Sequence, residues 1–297
     1  VGSVLAVILV GSALLSAGTD EKSAIQQITT NPGVDIEPKW SPDGKWLSYG
    51  SATGERHNLW IVPSDGGSPT QLTVDFASVH SSWWSPDGKT IAFSGGPPVD
   101  KQADVRMQVH LISWEGGEPQ KLTSGPIDGA PCWSPDGQKI AFVSIRSGNW
   151  DIWFQPVDGG EAIQLTDHPA LDHSARWSPD GSRIAFHSTR NGNADIWLMP
   201  AAGGDPEPLT TSEAEDMFPS WSPDGEKIAF QSNRTGNEDI YVLSLNDKGL
   251  SRITNDPAKD GRPTWSPDGN KIAFSSDRSG NLDLWVVDLR KLKQEDL

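Results

Sequence analysis

The chain has a single cysteine, Cys132, so no disulfide can form within it and no cluster of thiolates can hold a metal. In a strand such a residue reads as a small buried hydrophobe. Basic residues are also scarce: 24 Lys and Arg against 40 Asp and Glu leave a formal charge of −16. A surface of that sign repels phosphate backbones and argues against nucleic acid as a partner. Three catalytic signatures are missing: a Gly-x-Ser-x-Gly elbow, a phosphate-cradling glycine loop and a His-Glu-x-x-His helix. The one long uncharged apolar run is residues 1–18, VGSVLAVILVGSALLSAG, followed by polar Thr19-Asp20. It reads as the hydrophobic part of a signal peptide ending in small residues, with a start methionine and basic leader expected upstream. Its length is also near the lower limit for crossing a bilayer, so an uncleaved anchor is the alternative, and the only route to a membrane. The protein is therefore expected outside the cytoplasm, in a periplasm or secreted.

Turn residues and tryptophan are plentiful, with 30 Gly, 23 Pro and 14 Trp. They fall into a repeat. Trp-Ser-Pro-Asp-Gly begins at Trp40, Trp84, Trp133, Trp177, Trp221 and Trp265, at spacings of 44, 49, 44, 44 and 44 residues. That period suits a four-stranded propeller blade and is too long for most helical solenoids.

In the fourth unit, four strand-like runs are expected over 173–177, 183–187, 195–199 and 207–210. The first two are joined by Ser178-Pro179-Asp180-Gly181, where Pro fixes φ and Gly accepts the left-handed conformation that closes a tight turn. The later turns, around Gly192 and around Gly203-Gly204, are also glycine-based. Ile-Ala-Phe stands in the second strand of five units, at Ile91, Ile140, Ile184, Ile228 and Ile272, with Leu47-Ser48-Tyr49 in the first. Continuous apolar runs of this kind suit strands covered on both faces. The repeated Trp, with the Trp or Tyr at positions 60, 153, 197, 241 and 285, supplies area buried between blades.

A ring of blades must close or expose two strand edges. Each outer strand ends in Leu-Thr or Ile-Thr ten or eleven residues before the next repeat Trp, and Ile28-Thr29 stands eleven residues before Trp40. Residues 24–29 are thus an outer strand with no blade in front of them, while the sixth unit ends near Leu289 in a charged tail, 290–297, without its own Gly turn. The expectation is an all-β six-bladed propeller over 24–289, closed by the N-terminal strand in the last blade, and monomeric. An outer strand starting at Glu295 is the alternative closure.

The pattern Pro-x-Trp-Ser-Pro-Asp-Gly-x-x-Ile-Ala-Phe, then Ser-x-Arg-x-Gly-Asn-x-Asp-Ile-Trp and a Gly-Gly turn, resembles the WD-like repeat of the TolB propeller family across practically the whole chain after residue 24. The resemblance implies a propeller scaffold that binds a protein or peptide of the cell envelope. Propellers of this kind also accompany peptidases, lyases and sensors, so fold alone does not set function.

One candidate site is the channel rim on the inter-blade loop face. Five residues before the repeat Trp stand Asp35, Asp128, Asp172, Asp216 and Asp260, with Val79 and then His80 in the second unit, and His173 beside Asp172. Pointed inward, these carboxylates would recruit a divalent cation or a basic partner group; turned sideways, they would cap their own loops. No other cofactor is expected. A second recurring set, Arg146 with Asp151, Arg190 with Asp195, Arg234 with Asp239 and Arg278 with Asp283, is expected to form ion pairs across the hairpins; the first unit has Thr53 and Asn58 there, and the second has Gln108 for the Asp. The second unit carries five extra residues within 95–102, on the same face, next to His80 and Trp83. The alternative to a binding scaffold is a metal-dependent carbohydrate-active enzyme of the lyase kind, with His80, His168, His173 and His187 supplying imidazoles in the channel.

Overall fold

The computed structural model describes residues 24–53, 56–74, 76, 78–96 and 106–292. The apolar run 1–18, the insertion from residue 97 onward and the segment 293–297 lie outside the described residues. Six four-stranded antiparallel sheets are arranged as blades around one axis. The fourth blade is typical: Asp172–Trp177 lies innermost, followed outward by Arg183–Ser188, Asp195–Pro200 and Glu207–Pro208.

The pentapeptide folds as its composition dictates. In the fourth copy Ser178 Oγ donates to Asp180 Oδ1 and accepts from the Arg183 backbone N–H, while Gly181 takes φ +72° and donates its N–H to the Ser178 carbonyl. Only Gly adopts that φ without steric cost. The glycine also lies beside a proline of the blade before: a Cβ on Gly181 would sit 3.9 Å from Pro135, and one on Gly44 would sit 3.9 Å from Pro267, so the turns of the sixth and first blades meet. Three of the repeat Trp also bridge blades by a hydrogen bond. Trp84 Nε1 donates to the Lys39 carbonyl at 3.2 Å, Trp221 Nε1 to that of Arg176 at 3.0 Å and Trp40 Nε1 to that of Thr264 at 3.2 Å. The Ile-Ala-Phe strands are fully covered by the neighbouring blades, as expected of runs apolar on both faces.

Closure is made by the front of the chain. Ile25–Gln27 pairs antiparallel with Asp283–Asp288, with Ile25 opposite Val287 and Gln27 opposite Trp285. Ile28 N–H continues the ladder to the Leu284 carbonyl at 2.8 Å, and Thr29 Oγ1 accepts from Leu284 N–H at 3.0 Å. The fourth position of the sixth blade is therefore filled by the expected segment. After Asp288 the chain makes a 3-10 turn, Leu289–Lys291.

Candidate functional site in the central channel

The innermost strands form the channel wall, and five of the six are bulged. Register slips between Ile36 and Lys39, Gly129 and Cys132, His173 and Arg176, Met217 and Ser220, and Gly261 and Thr264. At each slip a non-glycine residue takes positive φ: Glu37 57°, Ala130 49°, Ser174 56°, Phe218 56° and Arg262 56°. Such backbone costs about 1–3 kcal/mol per residue. Bulges re-aim side chains, and these fall in the wall of the pore.

At the pentapeptide end, the residue before each repeat Trp lines a cavity of about 250 Å³: Lys39, Trp83, Cys132, Arg176, Ser220 and Thr264. The six tryptophans and the prolines of the turns, from Pro42 to Pro267, surround its mouth. Two of the six wall residues are cations. Lys39 Nζ stands 5.7 Å and Arg176 Cζ 4.7 Å from the centroid of the Trp83 ring. Burial, and then the like charge of Arg176, pull the Lys39 pKa down to about 7. Burial also pushes the Cys132 thiol up.

Deeper in the channel, Arg262 Nε lies 3.4 Å from Glu37 Oε1 and its guanidinium 5.3 Å from the Phe218 ring. Burial alone would raise the Glu37 pKa, but Arg262, Lys39 and Arg176 outweigh it and hold the carboxyl below its usual range. His173 packs 5.4 Å from His187 and 5.7 Å from Trp150, and its Nδ1 lies 2.9 Å from Ser174 Oγ. Burial lowers His173 to about 4 and His187 well below the usual imidazole value, so both are neutral at pH 7.

The expected carboxylate rim is built differently. Asp35, Asp128, Asp172, Asp216 and Asp260 are fully buried, turned into their blades and not into the pore. Four are held by arginine: Asp128 by Arg146 at 2.7 Å, Asp172 by Arg190 at 2.8 Å, Asp216 by Arg234 at 2.8 Å and Asp260 by Arg278 at 2.6 Å. Asp35, in the unit with Thr53 in the arginine's place, accepts from Asn31 instead, and burial raises its pKa. The side chains are thus turned sideways, but their donors are chiefly arginine side chains; a loop backbone N–H, that of Gly125, donates to Asp128. His173 and its neighbour Asp172 part because successive strand residues face opposite ways. The His80 ring lies 4.7 Å from that of His57.

The same arginines correct the expected hairpin pairs, Arg146 with Asp151, Arg190 with Asp195, Arg234 with Asp239 and Arg278 with Asp283. Asp172, Ser188 and Asp195 form one row across three strands. Ser188 Oγ accepts from Arg190 Nε at 2.9 Å, which swings the guanidinium inward over the Trp197 ring, 4.8 Å from its centroid, and onto Asp172. Asp195 faces outward and accepts from Thr210 Oγ1, which in turn accepts the Ile196 N–H. In the other blades, Asp151 takes Ser147 and Gln164, Asp239 takes Arg252 and Thr235, and Asp283 takes Ser279, Gln27 and Thr29. The hairpin aspartates therefore fasten outer strands, and in every blade the Thr that ends the outer strand accepts a backbone N–H of the third strand.

Among the described residues, no three of His, Cys, Asp and Glu gather in a way that could hold a metal ion. The histidines considered for a lyase-type centre do not converge: His173 and His187 form one pair, His80 stands with His57, and His168 Nδ1 accepts from the Ala170 backbone N–H.

Comparison with known proteins agrees with the fold. The family described as the TolB beta propeller domain matches residues 215–296, and the Tricorn protease N-terminal beta propeller domain matches 149–235. An uncharacterized peptidase of Bacillus subtilis is 32% identical over 137 residues, covering 43% of this chain and 19% of its own length. The Tol-Pal system protein TolB of Alcanivorax borkumensis is 33% identical over 123 residues, covering 41% of this chain and 26% of its own. The chain thus aligns with only a minor part of either relative. The structure of a putative TolB from Agrobacterium tumefaciens superposes with TM-score 0.70 at 25% identity, over 89% of this chain and 96% of that one. With six copies of the repeat and the closed ring of blades, these likenesses support a six-bladed propeller similar to those of the TolB-like family.

Proposed function

We propose that the protein is an extracytoplasmic scaffold that holds a protein or peptide partner at the tryptophan–proline mouth of its channel. The observation that carries this reading is the position of the cavity: it opens at the pentapeptide end, inside a ring of six tryptophans and prolines. Rigid aromatic and proline surfaces lose little entropy on binding, which suits recognition of a peptide segment. The opposite face offers carboxylates already bound to arginine, so it has less to give a partner. The apolar run at 1–18 supports export. Among the described residues no helix is long and apolar enough to cross a membrane. Relatives named for the Tol-Pal system support a partner in the cell envelope.

Site-specific photo-cross-linking in cells tests this. A cross-linker at Pro223, on the mouth, is expected to capture one envelope protein, while cross-linkers at Asn191 on the opposite face and at Gly159 on an outer turn capture none. Capture from Asn191 with none from Pro223 overturns the reading.

A further inference from the structure

Among the described residues, three basic side chains, Lys39, Arg176 and Arg262, enter the channel and one carboxylate, Glu37, meets them. Glu37 is taken up by Arg262. Lys39 and Arg176 come from the first and fourth blades, which face each other across the axis, and each is 4% exposed. Lys39 Nζ donates to Pro38 O at 3.1 Å and Arg176 Nη1 to Ala175 O at 2.8 Å, and the Arg176 guanidinium also reaches the Cys132 thiol. Among the described residues neither has a carboxylate within salt-bridge distance. Burying three cations around one carboxylate leaves their charge under-compensated and destabilises a fold. The propeller itself does not require them, since Trp83, Cys132, Ser220 and Thr264 occupy the same place in the other blades. Two under-satisfied donors therefore line a cavity of about 250 Å³, with an aromatic ring beside them.

We propose that Lys39 and Arg176 form a seat for a carboxylate, carried by an acidic segment of the partner and entering through the proline ring. The two heads donate to its oxygens, and Trp83 packs against the aliphatic stem that bears it. The negative net charge of the protein opposes approach only weakly, because salt screens it over about 8–10 Å, whereas the seat acts at contact. This deepens the reading above and rests on it for the end of the channel that is used.

Calorimetric titration tests the seat with three probe pairs at constant ionic strength: the blocked pentapeptide Gly-Gly-Glu-Gly-Gly against its Gln counterpart, triglycine with a free against an amidated C-terminus, and glutarate against chloride. The carboxylate member of at least one peptide pair is expected to bind about tenfold or more tightly than its neutral partner. The first pair reports a side-chain carboxylate and the second a chain terminus. Lys39→Met and Arg176→Met are expected to lose that preference while still unfolding cooperatively at a midpoint no lower than wild type, and Arg176→Lys to keep part of it. Equal binding within both peptide pairs, or a preference that survives in both Met variants, overturns the seat. Loss of the Pro223 cross-link with the carboxylate preference intact removes the partner and leaves the seat; the reverse removes the seat alone.

Discussion

Arg190 Nη2 contacts both carboxylate oxygens of Asp172, at 2.8 and 2.9 Å, and so ties the end of the second strand to the start of the innermost strand of the same blade. The aspartate is fully buried and the arginine side chain 10% exposed. Removing one partner of such a pair strands a buried charge. Arg190→Met is expected to lower stability by about 3–5 kcal/mol, and Arg190→Met with Asp172→Asn by clearly less than the single change. Urea unfolding checks both. Equal losses in the two variants would show that the guanidinium matters for its packing on Trp197 and not for its charge.

A hydroxyl just after the N-terminal strand helps to close the ring. Thr29 Oγ1 accepts from Leu284 N–H and donates to Asp283 Oδ1. Thr29→Ala leaves a buried N–H without its partner and is expected to cost about 1–3 kcal/mol. Limited proteolysis should then release residues before Val34 faster than the rest of the chain unfolds. Unchanged protection there would argue against this fastening.

Much of this was legible from the sequence. Six pentapeptides gave the number of blades, and Ile28-Thr29, in phase with Trp40, gave the closure. The arginine partners were not legible, because Asp172 and Asp195 flank the same Ser188 in adjacent strands and both recur with the arginine. The first unit held a clue: Asp35 persists where Thr53 replaces the arginine, so the rim aspartate can find another donor. The channel cations escaped notice for the opposite reason. Lys39 and Arg176 occupy a position where the repeat has no consensus, and reading by period discards such positions. A basic residue where other units have Trp, Cys, Ser or Thr, directly before a repeat Trp, was the available signal. The bulges that fix these side chains in the pore wall leave no mark in the residue types, which range from Glu37 to Phe218.

His173 gives the protein an acid-sensitive core. The unfolded chain takes up a proton on this imidazole below about 6.5, while burial keeps the folded side chain neutral down to about 4. Protonation within that window favours unfolding, so the stability difference is largest at high pH and is lost as pH falls. The groups acting on it are His187, Glu37, Arg176 and Arg262, with Trp150 at the ring edge. Relative to His173→Gln, the wild type is expected to lose urea resistance between pH 6.5 and 4. The buried aspartates with raised pKa are common to both proteins and cancel in the comparison. Parallel pH profiles would contradict it.

Lys39 is expected to destabilise the unliganded protein. Its pKa falls from 10.5 in the unfolded chain to about 7 in the folded one, so its cost is full below pH 7 and shrinks as pH rises toward 10.5. Lys39→Met should therefore stabilise by about 1–4 kcal/mol at pH 6 and by progressively less in alkali. Chemical denaturation at the two ends of that range checks both the sign and the trend.

The central claim is that recognition occurs at the tryptophan–proline mouth. Once the cross-linked partner is known, its captured segment can be titrated into protein labelled with nitrogen-15, reading the indole N–H resonances. Shifts are expected for Trp83 and the repeat tryptophans around the cavity, with Trp60, Trp153, Trp197 and Trp285 of the third strands unmoved. Movement of the third-strand indoles with Trp83 and the ring unchanged would contradict the account.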